Sequence, residues 1–267
     1  MIDKKDYFKQ VLSLGDFSKI SSYIETTYGI QLPNNKLNMV QTRLIKRLAE
    51  TEKPTFKDYI EYVFSTSGKN ELQNMVDEIT TNRTEFFREI QHFDFLKENF
   101  SDKKDKVKIW SAGCASGEEP YSIAMLLHHH NIDCEIYACD VSVKALNEAR
   151  NGEYQEREVS PVPEAMRTKY FTKVQDGYKV NENIKKLIKF YHINLLDNTY
   201  NIPNDIDIIF FRNVSIYFSS ANQDATFIKM ASYLKKDGYL IIGVSENMFN
   251  KDLPFKKLKF SIFQKSE

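Results

Sequence analysis

The sequence predicts an α/β fold, a parallel sheet with helices on both faces, preceded by an all-helical region. Two observations carry this. Apolar residues recur at helical steps through roughly the first 75 residues. From Val107 onward, short apolar runs alternate with amphipathic stretches, the signature of strands joined by crossover helices.

The elements follow in order. Leu37, Val40, Leu44 and Leu48 lie on one face of a helix. Lys36, Arg43 and Arg47 form another stripe, with Lys46 beside it. Pro54-Thr55-Phe56 opens a helix carrying Phe56, Tyr59, Ile60, Val63 and Phe64. Ser65–Asn70 is a break, and a third helix runs from Glu71 to about Ile79. Val107–Ala112 reads as a strand, Gly113-Cys114-Ala115-Ser116-Gly117 as a small-residue turn, and Glu118-Glu119-Pro120 as a helix start. Cys134–Cys139 is a second strand ending at Asp140, followed by a helix over 142–150. Residues 152–186 break the alternation and read as an insertion, with a hairpin of 170–174 and 178–180 around Asp176-Gly177. Strands over 188–192, 206–211 and 239–244, a helix over 221–234, and a last strand at about 259–264 complete the chain.

Composition narrows the class. Lys+Arg and Asp+Glu are 37 each, so no net field draws the 267-residue chain to nucleic acid or anionic lipid. The start, Met1–Asp6, is too polar for a secretory signal, and no apolar run approaches the roughly 20 residues that span a bilayer. Cys114, Cys134 and Cys139 are odd in number and set among apolar residues, which suits a reducing compartment. A soluble cytoplasmic protein is the expectation. His128-His129-His130 lacks the i,i+4 spacing and companion ligands of a metal site, so none is expected.

In an open α/β sheet, ligands gather at the carboxyl ends of the strands. Here the glycine turn after the first strand and Asp140 at the end of the next suit an adenosine, the acid accepting the ribose hydroxyls. The turn is Gly-x-x-x-Gly, not the Gly-x-Gly-x-x-Gly that seats a pyrophosphate. Glu118 and Glu119 at the helix mouth would repel a pyrophosphate and favour an ammonium, which points to S-adenosylmethionine. A strand, Pro254 and then another strand with no long crossover helix suggest a terminal antiparallel pair, a feature of methyltransferase sheets.

Five blocks in order carry a resemblance over about residues 15–265. They are Thr80–Arg88, Ile109–Ser122, Asn194-Leu195-Leu196, Phe211–Phe218 and Gly243-Val244-Ser245-Glu246-Asn247. On these the chain resembles the chemotaxis receptor glutamate O-methyltransferases, the CheR family. The resemblance implies a Rossmann-like S-adenosylmethionine-dependent methyltransferase sheet with an inserted small β-subdomain, and a small N-terminal all-α domain. The expected division is 1–78 for the receptor-docking helical domain and linker, and 79–267 for the methyltransferase domain with its insertion at about 152–187. It implies methyl transfer to glutamates on the cytoplasmic helices of methyl-accepting chemotaxis receptors, with S-adenosylhomocysteine as product. A monomer with no nucleic acid partner and no membrane insertion is expected.

Carried across by motif, the cofactor contacts are Asn82, Thr84, Arg88, Glu118, Asp140, Asn194, Leu195, Asn213 and Val214. Glu118 would face the cationic methionine end, Asn194 would read the adenine edge, and Asn82 and Thr84 would close the pocket from outside the sheet. Arg88 and Tyr217 would stand nearest the transferring methyl as the catalytic pair. Lys36, Arg43, Lys46 and Arg47 would dock acidic receptor helices; as residues alone they describe a solvated helix face. The stretch Thr172–Tyr178 is short with one glycine, which predicts a member that does not tether the receptor's C-terminal peptide. A dinucleotide enzyme and a cofactor-binding relative without transfer activity remain the competing readings.

Overall fold

A computed structural model describes residues 7–248, 250 and 252–266; the polar start at Met1–Asp6 lies outside them. The chain forms two units. The first runs to Thr81 and takes in Ser142–Lys144, and the second holds Asn82–Val141 and the chain from Ala145 on.

The first unit is helical: α1 (Leu14–Tyr28), α2 (Leu37–Glu50), α3 (Phe56–Val63) and α4 (Lys69–Ile79). Each helix starts or stops for a local reason. Ser13 caps α1 by accepting from the Asp16 amide at 3.0 Å, and Gly29 ends it in the left-handed region at φ 75°. Thr55 caps α3 through the Asp58 amide. Phe17, Ile20, Ile24, Val40, Leu44, Leu48, Tyr59 and Ile60 fill the core between the helices.

The second unit opens with α5 (Gln91–Phe100) and builds a seven-stranded sheet. Its strands are β1 (Val107–Ala112), β2 (Cys134–Asp140), β6 (Ile188–His192), β7 (Ile206–Phe211), β8 (Leu234–Ile242), β9 (Phe255–Lys259) and β10 (Ile262–Lys265). Their order is β6-β2-β1-β7-β8-β10-β9. The first five are parallel, whereas β10 runs antiparallel to both β8 and β9. Chain order reverses between β1 and β7, so the crevice of this sheet opens at their carboxyl ends. β1 and β7 are buried almost throughout, as a strand covered on both faces must be. Trp110 is fully buried and donates its indole N–H to Cys139 Sγ at 3.2 Å.

Two helices matter to the crevice, α6 (Glu118–His129) and α11 (Ser220–Tyr233), with α7 (Val143–Asn151) after β2. The segment after α7 holds β3 (Glu153–Tyr154), three short helices α8 (Glu156–Val159), α9 (Glu164–Tyr170) and α10 (Glu182–Lys185), and the hairpin β4 (Phe171–Val174) and β5 (Gly177–Val180). Its strands form a separate antiparallel sheet, β3-β5-β4, closed by the two-residue turn Gln175-Asp176.

Several boundaries differ from the sequence expectation. β8 starts at Leu234, not Tyr239, because the parallel pairing with β7 begins at Leu234 and resumes at Tyr239 after a bulge. Asp237 sits at φ 60° in that bulge. The expected last strand is two strands, β9 and β10, with a tight turn through Ser261 at φ 62°. Tyr170, placed in the hairpin by sequence, ends α9 instead.

Candidate active site

The crevice is assembled from the ends of β1, β2, β7 and β8. After β1 the chain turns through Gly113, Ala115 and Gly117, all at positive φ (84°, 47° and 97°). The amides of Gly113 and Cys114 donate to the Cys139 carbonyl at 2.8 and 2.9 Å, which ties the turn to the end of β2. Asp140, 9% exposed, accepts the Ala115 amide on Oδ2 at 2.8 Å. The acid expected to meet a ribose thus also holds the turn. Gly113 has no room for a side chain, since a β-carbon there would lie 2.4 Å from Val214 Cγ2.

Val214 follows β7. Asn213 before it adopts φ 59°, and residues 215–217 form a single 3₁₀ turn that carries Tyr217, half-buried. A buried carboxylate from the end of β8, Glu246, receives this loop. Its Oε2 accepts the Asn213 amide at 2.7 Å and the Gly243 amide at 2.6 Å. Its Oε1 accepts the Val214 amide at 3.0 Å and the Ser215 hydroxyl at 2.7 Å, with the Ile216 amide at 3.3 Å.

A second charged group lies beside it. Arg212, its side chain 2% exposed, donates to Glu119 at 3.1 Å and to Glu89 at 3.1 Å, and also to the Arg88 carbonyl. Glu89 further accepts the Val244 amide at 3.2 Å. Burial pushes the Glu89 carboxyl up, but Arg212 and that amide outweigh it and hold the group below the usual carboxylate range. Burial also raises Glu119, and here Arg212 and the Ser111 hydroxyl (2.7 Å) do not fully offset it. His92 stands 3.4 Å from Glu89 and 2.7 Å from Ser261 Oγ; burial, then Arg212, drives it down to about 4.

One expectation is corrected here. Glu119 does not stand at the mouth of α6 as a second acid for an ammonium; it turns inward to Arg212 and Ser111. Glu118, itself buried, turns away from that pair. It lines a cavity of about 490 Å³ with Ser116, Glu148, Glu153, Glu158 and Asp176. Burial, and the nearby Glu158 and Glu148, raise its carboxyl to about 7 although Ser116 donates to it at 2.8 Å.

The remaining expected residues fall as follows. Asn194 caps its own turn, its Oδ1 accepting the Leu196 amide at 3.0 Å. Leu195 is buried, and its carbonyl accepts from Tyr200. Asn82 and Thr84 stand half-buried ahead of Arg88 in the segment that opens the second unit. Arg88 is half-buried and donates to the Arg83 carbonyl at 3.4 Å, on its own segment. In the first unit Lys36 and Lys46 are exposed, but the basic stripe is not continuous. Arg47 pairs with buried Glu71 at 2.5 and 2.8 Å, and Arg43 donates to the Ile79 and Thr80 carbonyls at 2.6 and 3.0 Å. The reason is that α4 packs against α2, so that face of the helix is only partly solvated. His128 donates to or accepts from the Tyr170 hydroxyl at 3.1 Å.

Sequence reasoning left Glu89, Arg212 and Glu246 without roles. One signal existed: an arginine directly after the apolar run Ile208–Phe211 must find acidic partners when buried.

The donor set fits an S-adenosyl compound. There is an acceptor at the end of β2 for a diol, held beside the positive-φ turn Gly113–Gly117, and an acid-lined cavity around Glu118 at the start of α6 favours a cation. Comparison with known proteins decides the family. The model of the CheR methyltransferase SAM binding domain matches residues 82–263, and that of the CheR methyltransferase all-alpha domain matches 15–80.

The chain belongs to the CheR family.

The chemotaxis protein methyltransferase of Borreliella burgdorferi is 37% identical over 257 residues, 90% of this chain and 91% of the relative. That of Salmonella typhimurium is 34% identical over 255 residues (90% and 87%), and that of Escherichia coli 33% over 252 (91% and 88%). This CheR-family chain is therefore a methyltransferase of the chemotaxis class with an S-adenosylmethionine-binding domain. Among the described residues, no helix is long and apolar enough to cross a membrane.

Proposed function

We propose that this CheR-family chain esterifies glutamate side chains on the cytoplasmic helices of chemotaxis receptors and itself works in the cytoplasm. The observation that carries the reading is the crevice at the ends of β1, β2 and β7, where Asp140, the Gly113 turn and Val214 stand together; Cys114 in that turn is buried and its thiol is pushed well above the usual range, so it offers no thiolate. A glutamate with a pKa near 4.3 is already an anion at neutral pH, so its methylation needs no general base.

S-Adenosylmethionine supplies the sulfonium methyl, which a carboxylate oxygen accepts by in-line displacement with no proton to move. What this chain must add is alignment and exclusion of water, and orientation is worth roughly 7–11 kcal/mol. Asp140 would hold the ribose hydroxyls and Glu118 the cationic methionine end. Asn194 and Leu195 would border the adenine, with Asn82, Thr84, Asn213 and Val214 closing the pocket. Arg88 would swing from its own backbone to hold one oxygen of the incoming carboxylate, leaving the other to attack, and Tyr217 would steady the same group through its hydroxyl. Receptor docking would fall to Lys36 and Lys46, with Arg43 and Arg47 shaping the helix between them. The two-residue turn of the β4–β5 hairpin supports action without a tethered receptor peptide.

The test uses methyl-labelled cofactor and a receptor cytoplasmic fragment. The expected product is label on the fragment that mild alkali releases as methanol. Label that survives alkali overturns the reading.

A further inference from the structure

The loop after β7 is held partly from outside its own backbone. Asn213 sits at φ 59°, in the left-handed region, and residues 213, 214 and 216 turn their amides the same way. Such a run of N–H groups forms a concave anion nest. Here the nest is filled from inside the protein, by Glu246. Its two oxygens take four backbone amides and one hydroxyl, about as many donors as the lone pairs of a carboxylate can serve.

Two further features show how tightly the arrangement is set. A β-carbon on Gly243 would meet Asn213 Nδ2 at 2.5 Å and Glu246 Oε2 at 2.9 Å, so the carboxylate and the loop are packed against the end of β8. The Tyr217 amide donates to the Val214 carbonyl at 3.1 Å, and the Phe218 amide to the Ser215 carbonyl at 2.9 Å. The turn that presents Tyr217 therefore grows directly from the residues that Glu246 fixes.

We propose that Glu246 is a positioning residue: it sets the 213–216 loop in the shape that receives the cofactor and orients Tyr217. This rests on reading Asn213 and Val214 as cofactor contacts. The side chain touches neither cofactor nor substrate in this role. It acts by fixing in advance a loop that would otherwise have to be ordered on binding, a cost that appears as lost affinity.

Glu246→Gln keeps the size but places an N–H₂ against N–H donors. Calorimetry with S-adenosylhomocysteine and amide hydrogen exchange read the result. The expected outcome is a Kd raised at least tenfold, with exchange at residues 213, 214, 216 and 243 at least a hundredfold faster and exchange in Val107–Ala112 unchanged. Because Glu246 also orients Tyr217, kcat toward a receptor fragment should fall, while KM for the fragment, set by docking at Lys36 and Lys46, should stay within twofold. Faster exchange throughout β1 would mean a merely structural role and overturns the proposal. So does an unchanged Kd in a variant when the wild-type chain binds; a wild-type chain that does not bind removes the underlying reading as well. Ser215→Ala, which deletes one neutral donor, covers the case in which Glu246→Gln does not fold. It should raise Kd about threefold and speed exchange at 214 and 216, and no change in either again overturns the proposal.

Discussion

Gly113 and Val214 meet with no space between them: a β-carbon added to Gly113 would lie 2.4 Å from Val214 Cγ2. The contact joins the end of β1 to the loop after β7, on either side of the point where the strand order reverses. Gly113→Ala should therefore fail twice, through this overlap and through φ 84°. Overpacking costs about 1–3 kcal/mol and a left-handed non-glycine residue a further ~1 kcal/mol. Adding Val214→Ala should recover only the first part. Chemical denaturation of the single and double variants, with calorimetry for the cofactor product, checks both halves.

Glu118 predicts a proton linked to binding. Its carboxyl is raised to about 7 by burial, so below that pH it is largely neutral in the free protein. The α-ammonium that the product keeps favours the charged form and lowers the pKa. Binding of S-adenosylhomocysteine should then release a proton below about pH 7, and affinity should weaken as the pH falls. Titrations in buffers of different ionisation enthalpy measure the release, which Glu118→Gln should abolish. The same shift acts on stability in the opposite sense to a paired acid. The raised pKa contributes stability below the unfolded value near 4.5, and this is lost as pH rises towards about 7.

His92 has the reverse sign. The unfolded chain takes up this proton near pH 6.5, whereas the folded chain holds the ring neutral to about 4. Stability should fall as pH drops through that window, and His92→Gln should flatten this part of the profile. Urea midpoints measured at several pH values between 4 and 7 test it.

Much of the fold is legible in the sequence because hydrophobic period and turn chemistry agree there. Val107–Ala112 and the glycine turn can be read from residue types alone, and Pro254 marks the approach to the antiparallel end of the sheet. Other elements are hidden for physical reasons. The helix Gln91–Phe100 carries Phe93, Leu96 and Phe100 at helical steps, yet no side chain caps its start at Ile90. Strand β9 is four-fifths exposed and lysine-rich, which reads as loop; pairing with β10 makes it a strand, and its lysines guard an open edge. Within the site, sequence identifies Asp140 and the Gly113 turn, but adjacency cannot tell which of Glu118 and Glu119 turns inward. Helical spacing likewise puts Arg47 on a solvated or docking stripe, whereas the side chain turns to buried Glu71.

That partner yields a prediction for the first unit. Glu71 is buried, accepts from Arg47, Tyr59 and Asn74, and is held below the usual carboxylate range by these bonds despite its burial. Glu71→Ala leaves the Arg47 charge largely buried and should cost about 2–4 kcal/mol, near the range for a broken buried pair. Lys36→Glu with Lys46→Glu leaves the Glu71 bonds intact and breaks only the exposed Lys46–Glu50 pair at 3.5 Å, so it should cost well under ~1 kcal/mol. It should raise KM for an acidic receptor fragment about tenfold at low salt, less so at high salt.

The central claim is that the acceptor is a carboxylate already ionised and needing only to be aligned. The most direct measurement compares single-turnover methyl transfer to a receptor fragment with transfer to the same fragment after its acceptor glutamates are replaced by glutamine. Alkali should release methanol from the first and none from the second. Equal labelling of the two fragments would contradict it.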